Sequence, residues 1–215
     1  MTNVYGSEEK VSRKNRLFGA GVEALEKQGY KVERVPGAGK SSLRKITKDS
    51  KSKLVSIRTT QDTWIAFPRD KSNTHWVTLS DVDAVVAVSV DDPHDPKFAN
   101  VHMIDGNEMR FRFDRAYAAR LKAGHTIPVG RGVWVSLYIP ESNAPPAHVG
   151  AGAGLKHPPF ATVPLEPSVF ATKDEEVADE AIHEDHTPLT IAEAKRRLAL
   201  TFGVDPSSIR ITVEA

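Results

Sequence analysis

The sequence contains no cysteine, which excludes disulfides, thiolate zinc sites and a cysteine nucleophile. It has no apolar run approaching the roughly 20 residues that cross a bilayer, so no membrane partner is expected. The opening stretch MTNVYGSEEKVSRKNR has none of the apolar core of a secretory signal. A phosphate-binding loop is also missing, although Gly39-Lys40-Ser41 imitates one. That loop needs Gly, four residues, then Gly-Lys-Ser/Thr, so that backbone N–H groups wrap the phosphates. The place of its first glycine is held by Arg34, and the following SSLRKIT has no amphipathic stripe to form the required helix. Together these absences predict a cytoplasmic protein with no bound cofactor.

What is present is an ordinary globular composition, 40% hydrophobic and 27% charged, with length for one core and a small appendage. The net charge of +1 conceals an asymmetry. Residues 1–75 carry 16 Lys/Arg against 8 Asp/Glu, whereas 141–187 carry 2 against 9. A basic N-terminal third beside an acidic segment points to a polyanion-facing surface.

Periodicity divides the chain into four parts. Residues 1–12 read as disordered. Arg13 to Gln28 reads as a helix with Phe18, Val22 and Leu25 on one face and Gly29 as its stop. The strand YKVERV, the glycine turn and a hairpin follow, SSLRKIT and KLVSIRTT flanking the polar KDSKS. TWIAF is a further strand, and DAVVAVSV (Asp83 to Val90) is a continuous apolar run typical of a strand buried on both faces. NVHMI is a strand. A helix is expected over 107–123, with Met109, Phe113, Tyr117 and Leu121 in the core and Arg112, Arg115 and Lys122 away from it. GVWVSLYI closes a main domain spanning 13–140. Residues 141–187, Pro/Gly-rich and then acidic, read as a linker. Residues 188–215 form a helix–strand unit, capped by Thr190 and Glu193, too small to stand alone.

This order of elements, with GYKVERVPGAG after the first helix and LVSIRTT as the third strand, resembles the PD-(D/E)XK superfamily, the restriction-endonuclease-like fold. The resemblance covers about residues 13–139. It implies an α/β mixed sheet flanked by helices. In that family the third strand carries (Asp/Glu)-x-Lys, which here falls on Ser56 and Arg58. The family's other aspartate falls near Ser42 to Arg44. Two carboxylates are needed to hold Mg²⁺; serine supplies no charge and arginine repels the ion. The resemblance therefore implies a degenerate nuclease with neither metal nor catalytic residue, which keeps phosphate contacts at Lys40, Arg44, Lys45 and Arg58, with Lys14 and Arg16 secondary. Its partner is DNA or RNA.

Two other readings compete. A protein-interaction or homo-oligomerisation module would use IRITVE, within residues 188–215, as an added edge strand. A metal-dependent endonuclease would need Glu23, Asp49 or Asp62 to converge. Asp91, Asp92, His94 and Asp95, and separately His183 and His186, are further sets with metal-ligand chemistry. Trp64 and Trp76 flank FPRDKSNTH and have the ring faces to stack on unpaired bases.

Overall fold

The computed structural model describes residues 8–35 and 42–165. Lys40, the glycine turn, the acidic stretch and the helix–strand unit at 188–215 lie outside the described residues. Helix α1 spans Glu8–Lys27, so it begins within the stretch expected to be disordered rather than at Arg13. Three antiparallel strands follow: β1 (Lys31–Arg34), β2 (Leu43–Lys48) and β3 (Lys51–Thr60). Asp49 and Ser50 make the two-residue turn between β2 and β3, both at positive φ, the conformation that matches strand twist in tight hairpins.

Strand β4 (Trp64–Pro68) leaves the sheet, and β5 (Ala84–Val90) returns to lie parallel to β3. Every residue of β5 is buried, as its unbroken apolar run predicts. Strand β6 (Phe98–Asp105) pairs antiparallel with β5, and β8 (Ala161–Pro164) pairs antiparallel with β6. The result is a six-stranded mixed sheet in the order β1-β2-β3-β5-β6-β8. Helix α2 (Gly106–Lys122) is capped by Asp105, whose carboxylate accepts from the Asn107 and Glu108 N–H groups. Strand β7 (Gly132–Ser136) pairs with β4 in a separate two-stranded ribbon.

Alternation along β5 splits the core in two. Val86, Val88 and Val90 face α1, where Leu17, Phe18, Ala24 and Leu25 meet Ile46, Val55 and Ile57. Val85 and Ala87 face the other way, against Ile65, Phe67, Val133 and Val135 of the ribbon and Met109 and Phe113 of α2. The sheet is thus a middle layer between α1 and a second layer of α2 and ribbon.

Three expectations need correcting. The core does not stop at residue 140. Val149, Ala151, Ala153 and Val163 are buried, a short helix α3 runs Ala153–Lys156, and β8 completes the sheet. Small residues let this segment approach α2 closely: Gly150, at φ +81°, places its missing Cβ 2.3 Å from the Arg112 carbonyl oxygen, where no other residue fits. Arg112 is the second. It is buried rather than away from the core, paired with Glu108 at 2.9 Å and donating to the Gly150 and Ala151 carbonyls. Leu121, expected inside, is 46% exposed at the end of α2.

Candidate nucleic-acid interface

Residues 31–60 carry nine Lys/Arg against two Asp/Glu, and the strands built from them distribute that charge by alternation. Register decides which residues share a face. Leu43 lies opposite Ser56, and Arg44 opposite Val55 and Arg34. Val55 and Ile46 face α1, so Arg44 and Arg34 do too. Ser56 pairs with Val85 and Arg58 with Ala87, both on the ribbon side. Arg44 and Arg58 therefore stand on opposite faces of the sheet.

Both are packed over aromatic rings. The Arg44 guanidinium lies 4.8 Å from the Phe18 ring centroid and donates to the Leu43 carbonyl at 2.8 Å. Only 5% of Arg44 is exposed. Arg58 lies 4.5 Å from the Phe67 centroid and donates to the Thr78 hydroxyl. A planar, weakly hydrated guanidinium tolerates such stacking in a way that an ammonium does not.

The exposed cations lie on both faces: register sets Arg34 and Lys53 on the α1 side, and Lys45, opposite Leu54, on the ribbon side. Arg34, Lys45 and Lys53 are exposed and, with Val35, Ser52 and Leu54, line a shallow depression of about 260 Å³. Lys31 is also exposed and holds Glu33 at 2.7 Å. That contact keeps the Glu33 carboxyl below its ordinary pKa, so the acid in this strand is charged and engaged. Lys48 caps α1, donating to the Gln28 carbonyl at 2.7 Å. Lys14 and Arg16 lie on the N-terminal half of α1, both partly exposed. Of the six residues expected to contact phosphate, Lys45 lines the depression and Arg44 and Arg58 are set into the two packed layers. Arg34 and Lys53 line the depression as well, and their place on β1 and β3 of a basic three-stranded stretch is visible in the sequence.

The carboxylates proposed for a relocated metal site are separated. Asp49 and Asp62 lie beyond opposite ends of β3, whose ten residues extend about 30 Å. Asp62 accepts from the Thr60 hydroxyl and the Trp64 N–H in the turn to β4. Glu23 pairs with Lys27 one turn along α1. Asp91 and Asp92 accept backbone N–H groups of their own loop. Among the described residues, no three His, Asp or Glu side chains gather as a metal ion would require. Trp76, weighed as a stacking surface against the commoner role of core packing, is a core residue, with its indole N–H on Asp114 at 2.8 Å.

A polar network ties the second layer together. Buried His102 uses both ring nitrogens, one to the His157 carbonyl and one to the Tyr138 hydroxyl, each at 2.7 Å. A carbonyl only accepts, so Nδ1 carries the proton and Nε2 accepts from Tyr138. Ser89 completes the chain at 2.6 Å. Burial holds the His102 pKa below its ordinary value and raises that of Tyr138. Beside it, burial opposes ionisation of Glu108, but hydrogen bonds from Lys156, His157 and Arg112 outweigh it and hold the carboxyl at about 2.

No helix among the described residues is long and apolar enough to cross a membrane. No protein-family model, curated protein or solved structure matches this chain.

Proposed function

We propose that the protein binds nucleic acid without cleaving it, on a degenerate scaffold of the restriction-endonuclease-like kind. The observation that carries this reading is the exposed basic rim of Arg34, Lys45 and Lys53 around the β1–β3 depression. Cations gathered on one sheet with few acids bind the phosphate backbone by releasing its counterions. The order of α1, β1, β2 and β3 supports the scaffold. On this reading the family's carboxylate positions correspond to Ser56 and to a residue near Ser42 to Arg44, and Leu43 is the residue opposite Ser56. An apolar and a hydroxyl side chain there cannot hold Mg²⁺. Arg44, buried, and Arg58, partly buried, then supply positive charge within the scaffold, and Lys45 contacts phosphate directly.

The test is binding of a labelled duplex by the wild type and by Lys45→Ala combined with Lys53→Ala. The double variant is expected to weaken binding and to flatten its salt dependence, since each phosphate contact removed lowers the slope by about one. Unchanged affinity and slope would remove this rim from the interface.

A further inference from the structure

The outward face of the β4–β7 ribbon carries two tryptophans that the reading above does not use. The ladder pairs Trp64 with Ser136 and Ala66 with Trp134. Paired residues share a face and neighbours alternate, so Trp64, Ala66, Gly132 and Trp134 stand together. Ile65, Phe67, Val133 and Val135 point the other way and are buried. Trp134 is 52% exposed, and Trp64 is half-buried. The two indoles are diagonal neighbours, a relation that spaces residues by about 7–8 Å.

Ala66 lies opposite Trp134, and Gly132, opposite Pro68, lies one pair beyond Trp134 on the side away from Trp64. A Cβ on Gly132 would lie 3.0 Å from the Ala66 Cβ and 3.7 Å from the Trp134 indole nitrogen. The indole therefore lies along the ribbon, over Gly132, with its outer face turned to solvent. Trp76 shows how this fold treats a tryptophan used for packing: 3% exposed, N–H bonded to Asp114, ring edge-on to Phe113 and Tyr117. Trp134 has none of that cover.

The charge beside this face selects its occupant. Three cations lie next to β7: Arg120 and Lys122 at the end of α2, and Arg131 just before the strand. Arg120 reaches from α2 to the Trp134 carbonyl oxygen at 2.6 Å, which sets the last turn of α2, with exposed Lys122, against β7. Exposed Arg131 immediately precedes the strand. A flat aromatic surface flanked by cations is complementary to a nucleobase joined to a phosphate. A duplex hides its base faces within the stack, whereas an unpaired strand offers them.

We infer that the Trp64–Trp134 face is a stacking platform for unpaired bases of a single-stranded nucleic acid, with Arg131 and Lys122 meeting the phosphates. This rests on the nucleic-acid reading and gives it a preferred substrate form. Stacking uses the ring face common to all bases, so the platform tolerates sequence.

The test uses the full chain, a labelled oligothymidine and a labelled duplex, each followed by fluorescence anisotropy at low salt. Trp134→Ala is expected to weaken oligothymidine binding by about 5-fold to 160-fold, the range of a lost base–aromatic stack, and to leave duplex binding unchanged. Trp134→Phe, which keeps an aromatic face, should recover most of the loss. Equal oligothymidine affinity in wild type and Trp134→Ala, with duplex binding intact, overturns the platform and spares the broader reading. A wild type that binds the duplex alone also overturns it. A wild type that binds neither overturns both, and loss of self-association in Trp134→Ala would then assign the face to a second copy of the chain.

Discussion

Arg44 and Lys45 are adjacent in sequence and opposite in fate, because one residue of strand reverses the side chain. Arg44 stacks beneath Phe18 and is buried; Lys45 lines the open depression. Removing Arg44 strips packing as well as charge. Arg44→Ala should lower unfolding stability by about 1–3 kcal/mol in urea titration, whereas Lys45→Ala should stay within about 0.5 kcal/mol and show its effect in binding. Glu108 makes a prediction in pH. Its folded pKa of about 2 lies below the ordinary 4.5, so its contribution is complete above about pH 4.5 and is lost as pH falls toward 2. Glu108→Gln should be less stable than wild type at neutral pH, with the gap in denaturation midpoint closing as pH approaches 2. A gap that persists unchanged at low pH would assign the residue a role independent of its charge. At this scale the sequence showed the basic residues and the strand period that separates Arg44 from Lys45. It did not show that aromatic rings on α1 and β4 would take up two of the arginines, because those contacts are made by residues far along the chain.

The elements themselves follow local pattern closely. The apolar run over β5, the alternation in β2 and β3 and the amphipathic face of α1 all report burial, and burial is what periodicity encodes. The segment from Pro140 to Leu165 defeats that logic. Its glycines and prolines read as a linker by composition, yet they serve contact: Gly150 brings the backbone against α2, and Gly150 N–H donates to Glu141 at 3.0 Å. Here a glycine signals close approach rather than freedom, and only the partner surface distinguishes the two. Gly150→Ala faces both a positive φ and a clash with backbone. It should cost about 2 kcal/mol or more, measured as a lowered thermal midpoint. A substitution without effect would return the segment to the status of a linker.

At the scale of the molecule, the described residues form one layered unit in which β8 closes the sheet and residues 141–157 cover α2. A chain ending at Leu165 should keep a cooperative unfolding transition. One ending at Pro140 should lose it, because Val101, His102 and Arg112 would be stripped of Phe160, His157 and the Gly150–Ala151 carbonyls. The mixed α/β architecture was legible in the order of apolar patterns. The separate ribbon was not, since β4 and β7 stand far apart in the chain and their pairing leaves no local mark. The account's central claim is binding without cleavage, and one titration meets it directly. Purified protein is added to a labelled DNA duplex with Mg²⁺ present, at low and at moderate salt, and scored for both shift and strand breakage. The account predicts a shift that weakens steeply with salt while the DNA stays intact. Mg²⁺-dependent breakage, or no shift even at low salt, would contradict it.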